Sequence, residues 1–351
     1  MKNARSLLKS GYQLTRFLTK LKAKPSSLLI LTHDYPDPDA LASATALQFL
    51  LEKSFQISSK IVYGGVVGRT ENRAMVELLK LPIHKLKPAD LKKYKQIALV
   101  DTQPDFKNNS FPKSRKAFLV IDQHPSYKKP QADCAIIDTD CGATCVILAE
   151  ACLLLGLDLP TPVATALAYG ILSDTLHLYR ASRKDVIETY LAILPSCDMR
   201  ALAEMQNPPR TETFFEILAK GIKKSCAQKH LIFSHLGFIK NPDVVSQMAD
   251  LLLSYEGMKF SLCTGRFKEN LHLSFRMTEA AVEAQEILRD VLQDKGSAGG
   301  HDTIAGGNVK VGAVESQATW DKVEEEIIQR LLRRLKIGKA TQRYVPFRVE
   351  D

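Results

Sequence analysis

The stretch FLVIDQHPS, residues 118–126, sets the fold class. Four apolar residues, Phe118 to Ile121, end on Asp122, Gln123 and His124, and Pro125 follows at once. An unbroken apolar run of this kind suits a strand covered on both faces, and such strands belong to parallel sheets flanked by helices. In those sheets ligands bind where the strands end, and that is where this segment places its polar side chains. Upstream, SLLILT (27–32) reads as another buried strand, leading into HDYPDPDALAS and a helical pattern over 41–54. QISSKIVYGG (56–65) is a further strand, RTENRAMVELLKL (69–81) a helix, and QIALVD (96–101) a strand that again ends on an aspartate. Downstream, CGATCVILAEACLLLG (141–156) is a helix closed by Gly156, and TPVATALAYGILSDT (161–175) is a second helix ending near Ser173. Strands alternating with helices in this way predict an α/β domain built on a doubly wound parallel sheet.

Near residue 185 the pattern changes. Residues 185–228 predict a helical connector interrupted by NPPR at 207–210, and a fresh alternation of strands and helices starts at 229. The expected organisation is a basic N-terminal helix (1–24), an α/β catalytic domain (25–184), the connector (185–228) and a smaller C-terminal α/β domain (229–351) carrying the glycine-rich GSAGGHDTIAGG at 296–307. A chain of 351 residues is long enough for two such cores.

Composition narrows the function classes. With 45% hydrophobic and 25% charged residues the chain is an ordinary globular protein. It has no run of 18 apolar residues, and Lys and Arg break its first apolar stretch. Neither a membrane span nor a secretory signal is expected, and a cytoplasmic location is. Seven cysteines, scattered in apolar contexts, suit buried thiols in a reducing compartment better than disulfides or a structural zinc. The net charge of +9 sits at the ends: residues 1–24 hold seven Lys or Arg and no acid, and residues 329–351 hold seven against two acids. Such tails can guide phosphate-bearing substrates. Leu7, Leu14, Phe17, Leu18 and Leu21 recur at helical spacing, which favours a docked amphipathic helix with a solvated basic face over a targeting peptide.

The chemistry-bearing residues fall at element ends: His33, Asp37 and Asp39 after the first strand, Asp101 after another, Asp122 and His124 after the next, and Asp174 at a helix end. Singly, each aspartate could be a helix cap, and Pro36 and Pro38 could make Asp37 and Asp39 turn residues. Together they crowd unpaired carboxylates, which raises their proton affinity. Divalent cations remove that penalty, and oxygen with imidazole ligands suits Mn²⁺ or Mg²⁺.

THDYPDPDALAS (32–43), VDTQPDF (100–106), DQHPS (122–126) and GILSDT (170–175) resemble motifs one to four of the DHH phosphoesterase family. GGHDTIAGG (299–307) resembles the phosphate-binding loop of the C-terminal domain that accompanies it. The resemblance begins near residue 25 and spans nearly all the rest. Size and two-domain layout are similar to the oligoribonuclease/pAp-phosphatase (nanoRNase) branch and to related cyclic-dinucleotide phosphodiesterases. The resemblance implies two divalent ions, Mn²⁺ first and Mg²⁺ as the alternative. One would be held by His33, Asp37 and Asp101, the other by Asp39, Asp101, Asp174 and the residue at 123. It implies in-line hydrolysis at phosphorus with Asp101, Asp122 and His124 as catalytic residues. Arg276 of LSFRM, with Gly299, Gly300, His301, Gly306 and Gly307, would hold a terminal phosphate or nucleotide.

Position 123 departs from that pattern, because Gln123 stands where the family has a ligand histidine. A neutral amide oxygen is a weaker ligand than imidazole for a transition metal. The second site is then either weak and completed by substrate phosphate, or suited to Mg²⁺, or lost in a homologue that binds nucleotides without cleaving them. Retention of the other ligands favours an enzyme. Ala298, Ile304 and Leu176 are smaller departures, and His177 is expected to be a packing or rim residue rather than a metal ligand. The expected function is a divalent-metal phosphoesterase acting on short oligonucleotides, linear or cyclic dinucleotides, or 3′,5′-nucleotide bisphosphate. A nucleotide-binding regulator is the alternative, and an inorganic pyrophosphatase the third. Partners are expected to be short nucleic acid or nucleotide and no membrane, with a homodimer allowed.

Overall fold

A computed structural model describes residues 9–21, 25, 27–126, 128–279, 282–312, 315–338 and 341–347. The chain forms two compact units, Met1–Pro208 and Pro209–Asp351.

The first unit holds strands β1 (Ser27–Thr32), β2 (Ser58–Tyr63), β3 (Ile83–Lys85), β4 (Ile97–Val100), β5 (Ala117–Asp122) and β6 (Ala132–Ile137). They lie in the order β3-β2-β1-β4-β5-β6, and every pair is parallel. The chain winds outward from β1 to β3, then returns to lay β4 on the other side of β1. Successive connections therefore diverge at β1 and β4, which opens a crevice beyond the carboxyl ends of those two strands. The doubly wound sheet expected from the apolar runs is present, with two additional edge strands. DQHPS accordingly follows the fifth strand in chain order rather than the fourth. The edge strands β3 and β6 lack the continuous apolar run of β1, β4 and β5 because half or more of their residues stay at least partly exposed.

Helices α1 (Lys9–Thr19), α2 (Pro38–Phe55), α3 (Thr70–Leu78), α4 (Pro88–Lys93), α5 (Thr144–Leu154), α6 (Thr161–Asp174), α7 (Lys184–Ile193) and α8 (Met199–Gln206) complete this unit. Ala40, Ala42, Ala44 and Ala46 make α2 thin enough to be buried nearly all round. Gly170 completes the close approach of α6: a Cβ there would lie 3.0 Å from both the Ala42 Cβ and the Cys145 Sγ. This approach brings the carboxyl end of α6, with Asp174, to the amino end of α2, with Asp39. The described part of the N-terminal helix, α1, is docked as expected, burying Leu14 and Leu18 and passing so near α5 that a Gly11 Cβ would meet Glu150 Cγ at 2.7 Å. Leu7 lies outside the described residues.

The second unit contains α9 (Glu212–Lys223), α10 (Asp243–Leu253), α11 (Ala284–Leu292) and α12 (Gln317–Arg334). Its strands are β7 (Cys226–Gln228), β8 (Leu231–Phe238), β9 (Phe260–Phe267), β10 (Asn270–Met277), β11 (Gly296–His301) and β12 (Ile304–Lys310), in the order β11-β12-β10-β9-β8-β7. One core, with Phe275, Trp320 and Leu288, includes side chains of α11 and α12, and a second, with Leu236, Met248 and Cys263, includes those of α10. The glycine-rich segment is not a loop, as the sequence suggested, but an antiparallel hairpin in which Gly299 pairs with Gly306 and Ala298 with Gly307. Asp302 (φ 42°) and Thr303 make its two-residue turn, and Asp302 adopts the left-handed backbone that such turns favour. Gly300 has φ +149°, and a Cβ there would lie 2.1 Å from the Ile304 carbonyl oxygen, so the hairpin closes only with glycine at that position. Among the described residues no helix is long and apolar enough to cross a membrane.

Candidate metal centre

His33 follows β1 directly. Its Nδ1 donates to the Asp34 carbonyl at 2.8 Å, which leaves Nε2 facing Asp101 Oδ2 at 3.5 Å and Asp37 Oδ1 at 3.7 Å. A backbone carbonyl that fixes the tautomer is the usual support for a metal-ligating histidine. Asp37 is the N-cap of α2 and accepts from the Ala40 amide at 3.0 Å, so it serves as both the cap and the carboxylate in the cluster. Asp101 follows β4 with φ 58°, a left-handed backbone unusual for a buried non-glycine residue, and is 1% exposed. Its Oδ1 accepts from the Thr144 hydroxyl at 2.8 Å. Backbone outliers of this kind gather at functional sites, where the surrounding fold holds them in place.

Asp122 ends β5 and is fully buried. Its Oδ1 accepts from His124 Nδ1 at 2.8 Å and from the Gln123 amide at 2.9 Å, and its Oδ2 accepts from Gln103 Nε2 at 2.8 Å. It thus orients His124, whose Nδ1 also lies 3.7 Å from Asp101 Oδ1. Gln103 additionally donates to the His124 carbonyl at 2.9 Å, so it braces both residues.

Asp39 is buried under the first turn of α5. Its two oxygens accept from the Thr144 and Cys145 amides, each at 2.7 Å, meeting the free N–H groups and positive dipole end of that helix. Gln123 Nε2 donates to Asp174 Oδ2 at 2.7 Å and to Asp39 Oδ2 at 3.2 Å. Its amide nitrogen faces the two carboxylates, whose oxygens accept from it.

The electrostatics follow from this crowding. Burial pushes Asp39 and Asp174 well above the usual carboxylate range, and neighbouring aspartates add to it, Asp101 first for Asp39 and Asp37 first for Asp174. Burial opposes a charged His124, but the Asp122 hydrogen bond and Asp101 outweigh it and raise its pKa to about 9. Burial likewise opposes a charged His33, and Asp101 and Asp37 overcome it. Asp37 goes the other way: burial opposes its charge, but the His33 hydrogen bond outweighs it and lowers its pKa to about 2. Asp39, Asp174 and the two imidazoles thus hold protons more firmly than free groups, as crowded cation ligands do without a cation.

Among the described residues, two groups bring three candidate ligand atoms within 4.8 Å of one another: His33, Asp37 and Asp101, and Asp101, Asp122 and His124. Asp39, Asp101 and Asp174 form no such group. The donor chemistry of the first group, hard oxygen and one imidazole, fits a divalent ion.

The remaining expected site residues lie in the second unit. Arg276, on β10, is 5% exposed; its Nε bonds Asp250 and its Nη1 donates to the Phe275 carbonyl at 3.1 Å. The Gly300 amide donates to Gln285 Oε1 at 3.0 Å, so this one amide of the hairpin is already engaged. Gly299 and Gly306 leave open backbone facing solvent, Gly307 packs against α11, and the His301 side chain lies outside the described residues. Sequence reasoning missed Gln103 and the Thr144 and Cys145 amides. Gln103 stood inside the quoted VDTQPDF, whereas no residue type marks a backbone amide.

A parallel α/β sheet with carboxylates and imidazoles at its carboxyl edge, on a chain whose second unit carries a glycine-rich hairpin at its sheet edge, defines a two-unit protein with a candidate divalent-metal centre. The chain carries the two domains of the DHH family: the DHH family N-terminal domain matches residues 27–171 and the DHHA1 domain matches residues 228–336. It is 32% identical over 310 residues, 87% of its own length, to an uncharacterised protein of Methanocaldococcus jannaschii, and it spans 63% of that relative. The crystal structure of an exopolyphosphatase-related protein from Bacteroides fragilis superposes with a TM-score of 0.71 at 13% identity, covering 95% of this chain and 100% of that one. At that identity the likeness is one of fold.

Proposed function

We propose that this protein is a divalent-metal-dependent phosphoesterase acting on short oligonucleotides, linear or cyclic dinucleotides, or a nucleotide 3′,5′-bisphosphate. The observation that carries this is the convergence of His33 Nε2, Asp37 and Asp101 beside a His124 that Asp122 holds in place. A divalent ion bound there, Mn²⁺ or Mg²⁺, supplies Lewis acidity toward a phosphoryl oxygen. Asp101 is shared by both ligand groups and orients toward both imidazoles. His124 commits Nδ1 to Asp122 and keeps Nε2 for the phosphate, where its proton can neutralise charge or pass to the leaving oxygen. Phe106 lies edge-on to the His124 ring, with centroids 6.4 Å apart. Arg276 and the hairpin residues Gly299, Gly300, His301, Gly306 and Gly307 are assigned to a second phosphate or nucleotide by their resemblance to the family motif. Arg276 then exchanges Asp250 for substrate.

The Gln123 bridge favours one second reading, a nucleotide-binding regulator with weakened catalysis. Its amide hydrogens occupy the two carboxylates that a second ion would use. Incubation of purified protein with Mn²⁺ or Mg²⁺ and labelled dinucleotides, five-mers, cyclic dinucleotides and pAp separates the two. Metal-dependent turnover that is lost in Asp101→Asn supports the enzyme; nucleotide binding without turnover supports the regulator.

A further inference from the structure

A cavity of about 320 Å³ opens within the first unit beside the carboxyl end of α6, between that helix and the end of α8. It is lined by Tyr169, Leu172, Ser173, Leu176, His177, Gln206 and Asn207. Ser173 directly precedes Asp174, the carboxylate that Gln123 ties to Asp39, so the cavity and that carboxylate share the carboxyl end of one helix. Its size falls within the span of small-molecule sites, roughly 300–1,000 Å³.

The chain turns here in an unusual way. Leu176, His177 and Leu178 have φ of 48°, 55° and 70°, three successive left-handed residues with no glycine among them. L-residues pay conformational energy for that backbone, and runs of it persist only where neighbouring contacts hold them. The His177 amide donates to the Leu172 carbonyl and the Arg180 amide to the Thr175 carbonyl, each at 2.8 Å, while the Leu178 amide donates to the Thr175 hydroxyl at 3.0 Å. The turn sets Leu176, 45% exposed, and His177 at the cavity.

The lining chemistry is selective. Among the described residues, the side chains of Ser173, His177 and Gln206 have no hydrogen-bond partner, and the Asn207 amide reaches only the Ala203 carbonyl, at 3.4 Å. Two carboxamides offer paired donors and acceptors, and two leucines offer apolar surface. No Lys or Arg lines the cavity. A phosphate chain would find no counter-charge here. A flat, neutral group with donors and acceptors on its edge would be matched on both counts, and nucleobases have that chemistry.

We infer that this cavity, at the helix end that carries Asp174, holds a nucleobase of the substrate, so that the candidate metal centre acts on nucleotide phosphoesters rather than on inorganic pyrophosphate or polyphosphate. The inference rests on the phosphoesterase reading for the word substrate, while base binding itself requires no turnover. Saturation-transfer NMR with adenosine and with uridine, on the full chain in EDTA, tests it. At least one nucleoside should bind the wild type and keep its signal when inorganic pyrophosphate is added. Gln206→Leu and, independently, His177→Ala should weaken that binding, by about tenfold for the loss of one well-placed hydrogen bond. His177 is exposed, so its variant keeps the test usable if Gln206→Leu does not fold. Absence of nucleoside binding, binding as tight as the wild type's in both variants, or displacement by pyrophosphate would overturn the assignment. Failure of the phosphoesterase reading shows separately, as nucleoside binding without metal-dependent turnover of any ester.

Discussion

The carboxamide nitrogen of Gln123 donates to Asp174 across 2.7 Å and holds that carboxylate in line with Asp39. The amide hydrogens stand where a cation would otherwise neutralise two buried acids. A second ion must therefore turn Gln123 aside, and it gains a weak oxygen ligand at best. Calorimetric titration with Mn²⁺ should show one tight and one weaker site. Gln123→His should tighten the weaker one by about tenfold or more, a typical gain from restoring a metal-supporting group. Two equally tight sites in the wild type would exclude this account.

Asp101 takes part in both candidate ligand groups, so its removal should abolish ion binding as well as turnover. Mn²⁺ at about a hundred times its Kd should stabilise the wild type by about 2.7 kcal/mol. Urea unfolding of Asp101→Asn should show no such gain, and chelation should return the wild type to its metal-free midpoint.

Asp122 faces His124 and Gln103 rather than the His33 group, which makes it a positioning residue. Asp122→Asn should lower kcat by about 10²–10⁴, as loss of an orienting carboxylate does. Tight-site Mn²⁺ affinity should stay near the wild-type value. A parallel loss of affinity would instead make Asp122 a ligand.

Away from the centre, the Asp90 carboxylate accepts from Lys60 Nζ at 2.7 Å and from the Lys87 amide at 3.0 Å. The Lys60 hydrogen bond holds its pKa below the ordinary value of 3.8. A depressed carboxylate adds stability above its unfolded pKa and loses it as pH falls through the folded value. Asp90→Asn should thus cost about 0.5–1 kcal/mol at pH 7, the range for a partly screened pair with a cap. The difference between wild type and variant should shrink below pH 3.8 in denaturant titrations.

Gly170→Ala tests how the helices place the site. Its Cβ would press on Ala42, Cys145 and, at 3.1 Å, the Pro38 carbonyl oxygen. Overpacking of this kind costs about 1–3 kcal/mol. Because the contact sits between Asp39 and Asp174, the variant should also loosen the weaker ion more than the tight one. A thermal melt with and without Mn²⁺ reads both effects.

The central strands were legible in the sequence because β1, β4 and β5 are buried on both faces and leave continuous apolar runs, followed by His33 after β1 and ending in Asp101 and Asp122 at β4 and β5. β3 and β6 were not, because an edge strand keeps side chains in solvent and has no comparable run. The glycine-rich hairpin was mistaken for a loop because glycine signals turns, whereas here Gly299 and Gly306 pair across two strands. His33, Asp37, Asp101 and His124 could be named from strand ends alone. The role of Gln123 could not, since residue type says what an amide can bond and only the fold says which of its two ends faces the acids. The amides that hold Asp39 belong to Thr144 and Cys145, more than a hundred positions away, and carry no side-chain signature.

The winding order of the first sheet has a consequence for how the centre comes into being. Its residues run from His33 to Asp174 and arrive on separate crossovers, with Asp39 secured by a helix that is made only after β6. No local segment contains more than a fragment of it. Long-range contacts of this kind must first overcome loop-closure entropy, which makes them intrinsically slow to form. During synthesis the ion would then act as a seal on a finished domain and not as its nucleus, and metal scarcity would leave folded, empty protein rather than unfolded chains.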